Sequence, residues 1–74
     1  MGALRNTKNS QWLKVRTALI EHPGMWFDQR EMARMTGLTA NYSGRVMREL
    51  HRQFPDTFER KQGSYRRALY RKRI

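Results

Sequence analysis

The sequence contains no cysteine among its 74 residues. Disulfide bonds and thiolate metal sites are therefore excluded, and a reducing cytosol is the natural setting for such a chain. No run of apolar residues approaches the length of a membrane span or of a signal-peptide core. These absences predict a soluble protein of the cytoplasm that has no membrane-embedded segment.

Acidic residues are scarce as well. Six Asp and Glu oppose sixteen Lys and Arg, which leaves a formal net charge of +10. The excess is uneven, because residues 1–44 carry a net charge of +3 and residues 45–74 carry +7. So much one-sided positive charge in a small domain indicates a polyanionic partner, with nucleic acid favoured over an anionic membrane.

Side-chain sets that carry out catalysis or bind metal are missing too. His22 and His51 are far apart and lack metal-ligand spacing. No nucleophile–base set, phosphate-binding loop or metal motif is present. A chain of this length is also too short for a deep substrate cavity, which argues against an enzyme. We therefore expect no catalysis, no cofactor and no metal.

Periodicity predicts a first helix behind a flexible basic arm. Residues 1–8 form the arm, and the helix begins at Asn9 or Ser10 and runs to about Glu21. His22-Pro23-Gly24 ends it, since Pro disfavours a helical residue before it and Gly permits a reversal. The apolar side of this helix carries Trp12, Leu13, Val15, Leu19 and Ile20.

A second, short helix is predicted from Gln29 to about Met35. Asp28 and Glu31 form a capping box at its start, and Gly37 ends it as a left-handed residue. The apolar run 25–27 before the cap is too short for a helix and predicts a short strand that pairs elsewhere in the chain.

The third predicted helix follows the cap residue Thr39 and runs from Ala40 to about Gln53 or Phe54, before Pro55. One side of it carries Ser43, Val46, Met47, Leu50 and Phe54. The opposite side carries Asn41, Arg45, Arg48 and Arg52 within an arc of about 60°. Beyond Pro55 the period changes to two, which predicts strands 58–61 and 65–72 around a turn at 62–64.

The segment DQREMARMTGLTANYSGRVMREL, residues 28–50, therefore joins two helices through a tight turn that contains a glycine. Together with its flanking elements, it resembles the winged helix-turn-helix family of DNA-binding domains. The resemblance covers residues 9–72 and rests on the order of elements and on the spacing of Ala33, Gly37, Leu38 and Leu50. The sequence departs from the family at Ser43, where Val or Ile is usual.

The resemblance implies a mostly helical α+β domain over residues 9–74, in the order helix-strand-helix-helix-strand-strand. In the family, the third helix enters the major groove and the C-terminal hairpin, the wing, contacts the flanking backbone or minor groove. Carried over to this chain, the helix residues that contact DNA are Asn41, Arg45, Arg48 and Arg52. Independently of the family, Thr39 and the backbone N–H groups at the helix start can hold one phosphate. Tyr42 either completes the core, which is favoured, or contacts a thymine methyl or a sugar. The wing, residues 57–72, contributes Arg60, Lys61, Gln62, Ser64, Arg66 and Arg67.

The residue types agree with this assignment. Arg can hydrogen-bond two acceptors of guanine and Asn two groups of adenine, with about 1–3 kcal/mol of discrimination for a good pair. We therefore expect a sequence-specific transcriptional regulator that binds double-stranded DNA and associates with the nucleoid. Its small size suits a protein of a bacterium, a phage or another mobile element. A homodimer on a symmetric site is a further expectation, because a single module buries little DNA surface.

Three alternatives stay open at the level of sequence. The first is an accessory factor of replication origins or recombination that binds DNA and recruits another protein. The second is a protein-binding inhibitor or decoy that offers its basic face to an acidic partner. The third is RNA binding, which a preference for structured RNA over duplex DNA would indicate.

Overall fold

The computed structural model describes the backbone of residues 2–74 and the side chains from residue 10 onward. Three helices, α1 (Gly2–Glu21), α2 (Gln29–Thr36) and α3 (Ala40–Gln53), precede the strands β1 (Phe58–Gln62) and β2 (Ala68–Lys72). The strands form an antiparallel hairpin whose loop contains one hydrogen-bonded turn, in which the Arg67 N–H donates to the Ser64 carbonyl. The chain is thus a small α+β fold in the predicted order of elements.

Helix α1 begins earlier than predicted. It runs from Gly2 rather than from Asn9 or Ser10, so the backbone of residues 2–8 extends the helix. Residues 3–8 contain neither Pro nor Gly and include Ala, Leu, Arg and Lys, which are good helix formers. The side chains of residues 2–9, including the predicted cap residue Asn9, lie outside the described part of the structure. The flexibility of the arm stays a prediction.

The predicted caps of α2 and α3 are confirmed. The Asp28 carboxylate accepts a hydrogen bond from the Glu31 N–H at 2.7 Å, and the Glu31 carboxylate accepts one from the Asp28 N–H at 3.0 Å. Gly37 is left-handed, with φ of 77°, and its N–H donates to the Ala33 carbonyl. The Thr39 hydroxyl accepts from the Tyr42 N–H at 3.1 Å. These caps hold the tight corner that joins α2 to α3.

The short strand predicted at 25–27 is reduced to one bridge. Phe27 and Tyr70 exchange both backbone hydrogen bonds, at 2.8 and 2.9 Å. Met25 instead closes a turn, because its N–H donates to the His22 carbonyl. The segment therefore lies beside β2 on the side away from β1, held by the Phe27–Tyr70 bridge and by a hydrogen bond of 2.8 Å from the Gly24 N–H to the Lys72 carbonyl.

The hairpin loop is longer than the predicted turn. Strand β1 ends at Gln62 and β2 begins at Ala68, so the loop spans residues 63–67. Its positive φ angles fall on Tyr65 (53°) and Arg66 (62°), whereas Gly63 has φ of −101°. The prediction that the second strand begins at Tyr65 was therefore wrong, and the Tyr65 side chain is 93% exposed.

The core lies between the three helices and the inner face of the hairpin. Its buried apolar residues are Val15, Ala18, Leu19, Phe27, Met32, Val46, Met47, Leu50, Phe58 and Tyr70. Trp12 and Tyr42 pack against this core while half-buried. Four residues predicted on apolar faces are instead exposed, namely Leu13, Ile20, Met35 and Phe54. Phe54 leaves its predicted face because it is the C-cap of α3, with a non-helical backbone (φ −131°).

Ser43 is fully buried in α3, at 0% exposure, and its hydroxyl has no hydrogen-bond partner among the described residues. Burial of an unpaired hydroxyl costs about 1–3 kcal/mol. We predict that Ser43→Ala raises the free energy of unfolding by about 1 kcal/mol, measured by urea denaturation. Ser10→Ala, at an exposed position of α1, is the control for helix propensity. A gain no larger than that of the control would contradict the prediction.

Candidate nucleic-acid interface

Helix α3 presents the predicted polar face to solvent. Asn41, Arg45, Arg48 and Arg52 are all exposed, while Ser43, Val46, Met47 and Leu50 are buried beneath them. The two faces separate because the side chains of the polar set recur every three or four residues. Helix α3 therefore carries an exposed row of three arginines and one asparagine.

Arg52 differs from the other two arginines of this row because it pairs with Glu49, one turn earlier in α3. The Gln53 amide also donates to Glu49, at 3.0 Å. The hydrogen bond from Arg52 lowers the pKa of the Glu49 carboxyl, and the same contact raises the pKa of the Arg52 guanidinium. Among the described residues, Arg45 and Arg48 have no such ion pair. The unneutralised charge of α3 therefore lies at Arg45 and Arg48.

A cleft of about 760 Å³ lies between the start of α2, the middle of α3 and the hairpin. Five arginines from these three elements line it: Arg30, Arg48, Arg60, Arg66 and Arg67. Asp28 is the one acidic residue in its wall. The chain length predicted no deep cavity, yet this volume lies within the range of small-ligand pockets. Its walls, however, are strongly cationic, which suits an extended polyanion.

Asp28 and Arg67 connect the hairpin loop to the start of α2. One guanidinium nitrogen of Arg67 lies 3.2 Å from a carboxylate oxygen of Asp28, whose other oxygen caps α2. Asp28 is nearly buried, whereas the Arg67 side chain is half-exposed. Arg67 therefore positions the loop through this bond, and its charge is partly neutralised before any ligand binds.

Successive side chains of β1 point to opposite faces of the hairpin. Arg60 and Lys61, which were both predicted to contact DNA from the wing, therefore lie on different faces. Arg60 lies opposite Tyr70 on the inner face of the hairpin and lines the cleft. Lys61 points to the outer face, where its ammonium lies 4.5 Å from the centre of the Trp26 ring. Arg71 contacts the same ring at 4.6 Å. Trp26 is thus a half-buried platform for two cations.

Glu59 neutralises further charge on the outer face of the hairpin. Arg71 Nε lies 2.5 Å from one of its carboxylate oxygens, and a guanidinium nitrogen of Arg73 lies 3.4 Å from the other. The predicted positions Gln62 and Ser64 are exposed near the loop and do not line the cleft. Among the described residues, the hairpin cations without an acidic partner are therefore Arg60 and Arg66 on the cleft side, Lys61 on the outer side, and Lys72, whose ammonium donates to the Arg73 carbonyl.

The Glu59 contact predicts a pH dependence. The hydrogen bond from Arg71 lowers the pKa of the Glu59 carboxyl, so the unfolded chain takes up this proton first as the pH falls. The contribution to stability is full above the ordinary pKa of about 4.3 and is lost as the pH falls through the folded value. We predict that Glu59→Gln flattens the fall in unfolding free energy between about pH 5 and pH 3. Glu21→Gln, at an exposed site of α1, is the control. A fall in the free energy of unfolding that Glu59→Gln alters no more than Glu21→Gln does would contradict the prediction.

Gly44 permits the close crossing of α2 and α3 at the wall of the cleft. A Cβ atom there would lie 2.5 Å from the Gln29 side-chain oxygen and 3.2 Å from its Cβ. Gly44 therefore makes room for Gln29, the first residue of α2, and this brings the start of α2 against the exposed row of α3. The neighbouring Arg30 lines the same cleft.

Sequence reasoning missed Arg30 as a site residue. The sequence did contain an indication that Arg30 has a role in binding. A cation in the first turn of a helix opposes the helix dipole, so it is disfavoured there unless it has another role. Arg30 is the second residue of α2 and is exposed. An arginine two residues after the capping residue Asp28 could therefore have indicated a surface for an anionic partner.

Other kinds of site find little support within residues 10–74. His51 Nδ1 lies 2.9 Å from the Phe58 carbonyl and joins α3 to β1. No three His, Asp or Glu side chains of this region lie close enough together to hold a metal ion. Across the described chain, no helix combines the length and the apolar character that crossing a bilayer requires.

No family model, curated protein or solved structure matches this chain. Its function is therefore inferred from the geometry and charge of the residues described above.

Proposed function

We propose that this chain is a winged helix-turn-helix domain that binds double-stranded DNA without catalysis and acts as a sequence-specific transcriptional regulator in the cytoplasm. One observation carries the proposal. Arg30, Arg48, Arg60, Arg66 and Arg67 come from three separate elements and converge on one cleft beside the exposed row of α3. Of the described residues in its wall, only Asp28 is acidic, and it pairs with Arg67 alone. An excess of convergent cations of this kind is the electrostatic feature expected for binding a phosphate backbone.

Helix α3 serves as the recognition helix. Its 14 residues span about 21 Å, and a helix with side chains is about 10–12 Å wide, which fits the major groove. Asn41, Arg45 and Arg48 then face base edges, and Arg52, already paired with Glu49, contacts a phosphate more weakly. Thr39 caps the Tyr42 N–H, so the N–H groups of the two preceding helical residues are available to a phosphate.

The hairpin serves as the wing. Arg60 and Arg66 face the cleft and lack acidic partners among the described residues, so they bind the sugar–phosphate backbone that passes between α3 and the hairpin. Arg67 shares its charge with Asp28 and holds the loop in position. Lys61 is stacked over Trp26 on the outer face and contributes to binding only through its long-range field.

Titration of labelled duplex DNA at several salt concentrations, followed by fluorescence anisotropy, tests the proposal. We expect log Kobs to fall linearly with log salt, with a slope of about −4 for four to five neutralised phosphates. Structured RNA and an acidic polypeptide serve as competitors. Stronger binding of the RNA than of the duplex would favour RNA recognition. An absence of duplex binding even at low salt would favour the hypothesis of a protein-binding inhibitor or decoy.

A second candidate, an accessory factor that recruits another protein, is favoured by one observation. A groove between α1 and α2 is lined by Leu13 and Met35, which are 45% and 46% exposed, and it shares no residue with the arginine cleft. The same surface is where a homodimer on a symmetric site would form. Sedimentation with and without a palindromic duplex tests the dimer, since one chain bound per duplex at all concentrations would exclude it.

A further inference from the structure

The loop of the hairpin has an unusual backbone. Tyr65 and Arg66 are consecutive non-glycine residues with left-handed φ angles of 53° and 62°. The nearby Gly63, which could adopt such angles without strain, does not. Strained conformations of this kind cluster at functional sites and persist only where the surrounding structure holds them.

Three contacts hold the loop in this conformation. The Gly63 N–H donates to the Arg67 carbonyl at 2.6 Å, and the Arg67 N–H donates to the Ser64 carbonyl at 3.0 Å. The Arg67 side chain bonds Asp28 at the start of α2. The loop is therefore fixed both across its own ends and against the body of the domain.

The fixed loop exposes the Tyr65 ring at the rim of the arginine cleft. Tyr65 is 93% exposed, although it borders the cleft together with Arg48, Arg60 and Arg66. An aromatic ring on a fixed backbone has only two torsion angles to lose on binding, so it can make contact at low entropic cost. A single ring of this kind offers a surface for one base, whereas a single-strand platform needs several rings in a row.

We propose that Tyr65 is a base-stacking residue and that the preferred ligand is duplex DNA with an unstacked or easily kinked base step beside the α3 contact. This inference rests on the proposed function and deepens it. Aromatic rings stack on any base, and flexible pyrimidine–purine steps open most readily to an inserted side chain. Arg60 and Arg66, which line the same cleft, would neutralise the phosphates that a kink brings together.

The test uses two labelled duplexes that are identical except for one central mismatch, together with the wild type, Tyr65→Asn and Tyr65→Phe. Asn tolerates a left-handed backbone, so Tyr65→Asn removes the ring without adding strain, and thermal unfolding verifies that each variant folds. We expect the wild type and Tyr65→Phe to prefer the mismatched duplex by about tenfold. Tyr65→Asn should lose this preference but retain both the affinity for the paired duplex and its salt slope.

A 2-aminopurine placed at the mismatch reports stacking directly. The wild type and Tyr65→Phe should quench its fluorescence, and Tyr65→Asn should not. Equal preference ratios and equal quenching for wild type and Tyr65→Asn would overturn the stacking inference while leaving duplex binding intact. Failure of every protein to bind either duplex would overturn the proposed function itself, and the inference with it.

Discussion

Replacing Arg48 with Ala will weaken binding to a preferred duplex by about 10- to 100-fold and will flatten the preference for that sequence over others. Among the described residues of α3, Arg48 is the arginine that lies both on the exposed row and in the wall of the cleft. It also lacks an ion pair there, so its full guanidinium fork is available to a guanine. The measurement is the Kd for a selected duplex and for duplexes with single base-pair changes.

Two variants separate the roles of charge and geometry at this position. Arg48→Lys keeps the charge but lacks the planar fork, so it should retain the salt slope and lose most of the sequence preference. Arg16→Ala removes the same charge from an exposed site on α1 outside the cleft and should change both quantities little. An equal loss of affinity on every sequence would show that Arg48 contacts only phosphate.

The double replacement Arg60→Ala and Arg66→Ala will weaken binding to all duplexes and will reduce the magnitude of the salt slope by about 2, one unit for each lost phosphate contact. Both side chains line the cleft and have no acidic partner among the described residues. Sequence preference should stay unchanged, because phosphate contacts carry no base information. Anisotropy titrations over a range of salt concentrations measure both quantities.

Lys61→Ala is the matched control for this pair. It removes a neighbouring charge from the same strand, but one that lies on the outer face over Trp26. We expect its effect on the salt slope to be well below one unit. A Lys61→Ala slope change of about one unit, the same per charge as in the double variant, would contradict the assignment of the cleft side of the hairpin as the DNA-facing side.

The parts of the fold that were predictable from sequence depend on contacts within a few residues. The capping box of Asp28 and Glu31, the left-handed Gly37 and the Thr39 cap each join groups three or four residues apart. The two faces of α3 follow from its own period, apart from Phe54, which lies beyond the last regular turn. The corner between α2 and α3 was therefore predictable from local sequence chemistry alone.

The remaining features depend on distant partners. Arg67 and Asp28 are 39 residues apart in the chain, and nothing near Arg67 indicates that its charge is shared. The division of Arg60 and Lys61 between two faces depends on the register of β1 against β2 and on the position of Trp26. The left-handed angles at Tyr65 and Arg66 were unpredictable because local preference assigns them to Gly63. Periodicity likewise could not show that Leu13 and Ile20 lie outside the core.

Amide chemical-shift mapping of the ¹⁵N-labelled protein during titration with duplex DNA tests the central claim most directly. If α3 and the hairpin together enclose the duplex, the largest shifts will cluster at residues 39–52 and 60–67, with a smaller group at 29–30. Residues 13–21 of α1 should stay nearly unchanged. Shifts confined to the α1–α2 groove, or spread evenly over the surface, would contradict the account.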